Sequence, residues 1–173
     1  MACALTSGYT LDCADSVGGI KKIYVTELAN KSTLTSASGV ITAFTLSTGK
    51  QFFTYELQKE TSNVVENITR NEANGTTFYE QVLQFTVRKL QASLRNEIKL
   101  LAQNRVMIIA LDRNGKYWLL GESNGCEMTN STAGTGTAMG DFNGYTLNFR
   151  GTEEAPMQEV SSGLISTLTE PAA

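Results

Sequence analysis

Apolar and polar positions alternate with a period of two through most of this chain, the pattern of strands that lay one face on a core. In residues 20–28, Ile23 and Val25 fall on one side, against Lys22, Tyr24 and Thr26 on the other. Residues 40–46 set Val40, Thr42, Phe44 and Leu46 against Ile41, Ala43 and Thr45. Residues 51–58 place Phe53, Tyr55 and Leu57 opposite Phe52, Thr54 and Glu56, and the aromatics on both sides predict a strand covered on two faces. The longest alternation, residues 77–88, sets Tyr79, Leu83, Phe85 and Val87 against Glu80, Gln84, Thr86 and Arg88. Residues 63–69 are a weaker candidate. Threonine, β-branched and aromatic side chains fill these runs, as a pleated, half-buried surface favours.

One segment breaks the period. Over about residues 90–103, Leu90, Leu94, Ile98 and Leu101 recur at helical spacing, with Arg95, Glu97 and Lys99 on the other side and no Gly or Pro between them. This predicts one amphipathic helix packed on the flank of a sheet; its mixed charges argue against a membrane-surface helix. Residues 105–121 then read as a β-hairpin around Asp112-Arg113-Asn114-Gly115, with Asn-Gly expected in a type I′ turn. Asp141-Phe142-Asn143-Gly144 repeats the motif and leads into Tyr145, Leu147 and Phe149, alternating with Thr146, Asn148 and Arg150. Residues 59–75 read as a long polar loop with room for a short strand, and residues 122–140 as a flexible Gly/Thr loop. A tail from residue 153 is expected to extend outward, with an edge strand at 162–169 and frayed final residues. No linker divides residues 1–173, so a single mainly β domain is predicted.

Composition narrows what such a domain can do. Among 173 residues there are 15 glycines, two prolines and no histidine, so every imidazole-based mechanism is excluded. The formal net charge of −3 argues against specific binding to duplex nucleic acid. Cys3, Cys13 and Cys126 form no CxxC, and an odd count does not read as a secreted disulfide framework. No basic and apolar leader opens the chain, and no apolar run approaches a membrane span, so a soluble protein of a reducing compartment is expected. The sequons at Asn30, Asn67, Asn74 and Asn130 are then accidents of an Asn- and Thr-rich chain.

Candidate chemistry is thin. There is no GxSxG or SxxK motif, and Gly134-Thr-Gly136 through Gly140 lacks the lysine and the strand–helix setting of a phosphate loop. Glu153 and Glu154 are neighbours that a strand would turn to opposite faces. Asp12, Asp15, Asp112 and Asp141 stand near glycines or turns, and the two DxNG elements lack the ligands of a calcium loop. Trp118 reads as core or interface. Tyr117, Trp118 and Phe142 with Asn143 are the residues a glycan-binding β-sandwich would use. No catalytic, cofactor or metal residues are assigned, and extended strands with Thr-rich faces point to an assembly subunit.

Two segments carry a resemblance. The opening Cys3-Ala-Leu5-Thr6-Ser-Gly8-Tyr-Thr-Leu11-Asp12-Cys13, followed by Gly18-Gly19-Ile20-Lys-Lys-Ile23-Tyr24-Val25, resembles the start of virion proteins of tailed phages of Bacteroides-type hosts, crAss-like phages included. The closing run from Gly140 through Asp141-Phe142-Asn143-Gly144-Tyr145 to Pro156 is similar to their final strands. The resemblance implies a tail-tube-like β-sandwich or barrel with one flanking helix, forming the tail tube or a head–tail neck ring. Residues 59–75 would be the loop that reaches the adjacent ring. Its partners would be copies of itself, adjacent ring, portal or tail proteins, and phage DNA passing without sequence-specific contact. A head decoration protein is the nearest alternative. The expected location is the virion, assembled in the host bacterial cytoplasm, with no membrane insertion, no cofactor and no enzymatic activity.

Overall fold

The computed structural model describes residues 7–170. In chain order the first strands are β1 (Ile20–Glu27), β2 (Lys31–Ala37), β3 (Val40–Leu46), β4 (Phe53–Glu56), β5 (Asn63–Asn71) and β6 (Thr76–Arg88). Helix α1 (Ala92–Gln103) precedes β7 (Val106–Asp112), β8 (Tyr117–Leu120), β9 (Cys126–Gly134), β10 (Gly144–Glu153) and β11 (Gln158–Val160). A short helix α2 (Ile165–Leu168) follows. Backbone pairing joins β4, β1, β7, β8, β11, β3 and β2 into one sheet and β5, β6, β10 and β9 into another, bridged by a single pair, Val106 with Cys126. All neighbours are antiparallel except β11 with β3.

Two cores lie on opposite faces of β1 and β7. The first takes Ile23 and Val25 from β1, Ile108 and Ala110 from β7, Leu83 and Phe85 from β6, and Tyr145, Leu147 and Phe149 from β10. Here the two sheets face each other, and the rings of Phe85 and Phe149 stack at 6.0 Å. Leu90, Leu94, Ile98 and Leu101 lay the apolar stripe of α1 along the flank of this core. The second core takes Tyr24, Met107 and Ile109 from the other side of the same strands, with Ile41, Phe44, Phe52, Val160, Ile165 and Leu168. A strand buried on both faces reads as a near-continuous apolar run, and β7 (VMIIALD) does so. The fold class read from the sequence stands: a mainly β sandwich with a helix on its flank. Among the described residues the sheets do not close into a barrel, because β2, β4 and β5 each have one unpaired edge.

Several expectations are corrected. The 59–75 segment is not a long loop: the weaker strand candidate at 63–69 is a nine-residue strand, Asn63–Asn71, paired along its whole length with β6. About half of the 122–140 loop is likewise strand β9, held by β10 from Cys126 to Gly134. The tail from residue 153 does not reach outward. It inserts β11 between β3 and β8, and then buries Ile165 and Leu168 in the second core as helical turns rather than an edge strand. The predicted alternation in β3 changes phase at a bulge: Thr35 pairs with Ala43 but Ser36 with Ile41, so Thr42 is the extra residue, and Ile41 and Phe44 both point into the core.

The hairpin turn also differs from expectation. Only Gly115 has positive φ (84°), and its N–H donates to the Asp112 carbonyl at 3.4 Å, while Asp112 N–H donates to the Lys116 carbonyl at 2.9 Å. That is a three-residue loop with glycine in the left-handed position, not a type I′ turn. Cys3 and Pro171 lie outside the described residues.

Candidate functional site

The side chains singled out for chemistry are mostly engaged in local hydrogen bonding. Asp112 accepts from Lys116 N–H at 2.8 Å through Oδ1 and from Trp118 Nε1 at 3.3 Å through Oδ2. Asp12 accepts from the N–H of Cys13 at 2.8 Å. Asp141 accepts from the N–H groups of Thr137 and Ala138 at 2.8 and 2.7 Å, and these two donors hold its carboxyl below the ordinary value of 3.8. The stabilisation is therefore present above the ordinary carboxyl pKa and lost as pH falls through the lowered value. Below about pH 4 the amides of Thr137 and Ala138 are expected to lose hydrogen-exchange protection, and Asp141→Asn is expected to remove that pH dependence. Equal exchange at pH 3 and pH 6, after correction for the intrinsic rate, would contradict this.

The candidate glycan residues do not converge. Tyr117 packs against the second core, its ring 6.2 Å from that of Tyr24, whereas Trp118 lines a hollow with Val64 and Met157 on the other face. Phe142 is half-exposed before β10, and Asn143 is occupied in holding residues 89–90, accepting from Lys89 N–H at 2.9 Å and Leu90 N–H at 3.2 Å. Among the described residues no group of three metal-ligating side chains occurs.

A buried polar group escaped the sequence reading. Glu153 is 4% exposed, and its carboxylate accepts from the N–H groups of Ser123 (3.2 Å) and Asn124 (2.8 Å). Beside it, Gln81 Oε1 accepts from Gly121 N–H at 2.9 Å. Together they clamp the 121–125 loop between β8 and β9. Cys126 lies beneath, its thiol pushed up to about 12 by burial first and by the Glu153 charge second, which makes it inert. The signal was present: the alternation of Tyr145, Leu147 and Phe149, carried on through Gly151, puts Glu153 on the core face and Glu154 off it.

What remains are surfaces. The unpaired edge of β5 exposes Val65 (42%) and Ile68 (69%). Off the main strand order, β4 pairs among the described residues with β1 alone. Between β4 and α1 opens a groove of about 440 Å³, lined by Val25, Phe53, Tyr55, Leu100, Leu101 and Val106 among others. Its rim carries Phe53 and Leu100, exposed at 59% and 50%. Burial, with Glu97 nearby, raises the Tyr55 hydroxyl pKa. The floor is braced by Thr26, whose hydroxyl donates to Gln51 O at 3.0 Å and accepts from Asn30 Nδ2 at 3.1 Å. Asn30, the first of the sequons, is thus buried in a hydrogen bond.

No protein-family model, curated protein or solved structure matches this chain. No helix among the described residues is long and apolar enough to cross a membrane. The fold and surfaces define a mainly β sandwich with open strand edges among its described residues.

Proposed function

We propose that this chain is a structural protein of a bacteriophage virion, a ring-forming subunit of the tail tube or of the head–tail neck through which the genome passes. The observation that carries the reading is the open edge of β5: nine residues long, with Val65 and Ile68 exposed and, among the described residues, no strand beyond β6 paired to it. Monomeric proteins usually shorten, bulge or cover such an edge, because its free N–H and C=O groups are a template for another strand. Here three edges stay open, and a ring needs two different complementary surfaces on each copy. The resemblance of the opening and closing segments to tail-tube-like proteins supports the same reading. A net charge of −3 suits a conduit that lets DNA slide past rather than holding it. The partners are further copies, the adjacent ring, and portal or tail proteins, within a virion assembled in the bacterial cytoplasm.

Light scattering on the size-excluded protein and electron microscopy of negatively stained particles test it. Rings with a central channel are expected. Ile68→Asp puts a charge on the β5 edge and is expected to weaken ring formation at least tenfold while leaving the circular dichroism spectrum unchanged. A wild-type chain that stays monomeric at high concentration would sink the reading, and copies seen on the outer surface of heads would replace it with a decoration protein.

A further inference from the structure

Residues 7–15, ahead of β1, pack against neither core. From residue 7 to residue 17 every position is exposed, with Tyr9 at 85%, Leu11 at 88% and Val17 at 56%. Tyr9, Leu11 and Cys13 alternate with Thr10 and Asp12, the period of a strand with one apolar side. Among the described residues, hydrogen bonds tie this arm to the body only at its root. Val17 N–H donates to Asn114 Oδ1 at 2.8 Å, Asn114 Nδ2 to Ser16 Oγ at 3.4 Å, and Arg113 N–H to Gly19 O at 3.1 Å. All three anchor points lie at the tip of the β7–β8 hairpin, beside Ile20, where β1 begins.

The apolar groove opens at the other end of the same strand. It is lined by Val25, Thr26 and Glu27 at the end of β1, and roughly 20 Å of strand separates it from the arm's root. The groove has what the arm lacks: an unpaired strand edge at β4 and two exposed apolar side chains, Phe53 and Leu100, with Phe53 and Tyr55 on one face of β4. The arm does not occupy its own groove: residues 7–17 are all exposed, and none of them lines it. Extended, residues 7–17 reach roughly 35 Å, enough to cross to a neighbour.

We propose that the arm of one copy adds as a strand to the β4 edge of a second copy and seats Tyr9 and Leu11 in that copy's β4–α1 groove. The contact is between unlike ends of the molecule, so it repeats head to tail, and with the β5 edge already closing the ring it is left to join copies end-on. The inference rests on the assembly reading above and deepens it: the β5 edge makes the ring, and the arm links one ring to the next.

The test places p-benzoylphenylalanine at position 9 of the full chain, mixes isotopically heavy and light copies, irradiates, and maps the adducts by mass spectrometry. Heavy-to-light adducts within residues 50–55 or 97–104 are expected. In parallel, a Tyr9→Asp, Leu11→Asp double variant and a separate Leu100→Asp variant should leave single rings intact but reduce stacked rings at least tenfold in sedimentation. Adducts confined to the copy that carries the probe, or stacks formed by the arm variant as by wild type, would overturn the proposal and leave the ring reading standing. A wild-type chain with neither rings nor mixed adducts would overturn both.

Discussion

Phe149→Ala is expected to destabilise the fold by about 3–5 kcal/mol, read as a shift in the urea midpoint with an unchanged slope. Phe149 is 1% exposed and sits at the middle of β10, where the two sheets face each other. Its ring stacks on Phe85 with an angle of 4° between planes, and its backbone is tied to Leu83 on one side and Met128 on the other. Truncation removes that contact and leaves a cavity that cannot collapse, because both flanking strands are fixed by their ladders. At roughly 2–4 °C per kcal/mol for a chain of this size, the melting temperature should fall by about 6–20 °C. Phe142→Ala, which shortens a half-exposed side chain outside both cores, is expected to cost under about 1 kcal/mol. Equal losses for the two variants would mean that the first core is not where the sandwich gets its stability.

The residues of that core were the legible part of the fold. Tyr145, Leu147 and Phe149, like Leu83 and Phe85, alternate cleanly because their strands bury one face and solvate the other. Strand β5 showed only as the weaker candidate at 63–69 and β9 not at all, since Asn, Glu, Ser and Thr dominate both and such segments read locally as loops. Their strand state is imposed by pairing with β6 and β10, a case of partners overriding intrinsic preference. β11 is only Gln158-Glu159-Val160, too short for any period, and exists because β3 and β8 leave a slot between them.

The candidate surfaces were less legible for the same reason. The helical stripe of α1 was visible, but Leu100 lies off it, and nothing local shows that Leu100 will face Phe53 across a groove. That juxtaposition depends on β4 being an edge strand, and edge or centre is decided by long-range pairing. The alternation of Tyr9, Leu11 and Cys13 in the arm of residues 7–17 passed unread in the sequence. The arm's lack of a partner appears only once the rest of the chain is placed.

The two DxNG motifs are identical on paper, and they should respond in opposite ways to one substitution. At the first, Gly115 sits at φ 84° with open space around the position a Cβ would take. Asparagine tolerates that left-handed conformation better than other side chains, so Gly115→Asn is expected to cost under about 1 kcal/mol. At the second, Gly144 has ordinary φ, but it is buried at the start of β10 between Arg88 and Gly134. A Cβ there would collide with the carbonyl oxygen of Val87, and would lie 2.8 Å from the Phe142 ring and 3.1 Å from the Arg88 Cα. Two of those three are backbone atoms held in the β6–β10 ladder, so relief requires the two strands to part at their end. Gly144→Asn is therefore expected to cost about 3 kcal/mol or more. Thermal melts of the two variants beside wild type decide it. A severe loss at Gly115 with a mild one at Gly144 would overturn both readings, making conformation limiting at the first glycine and space not limiting at the second.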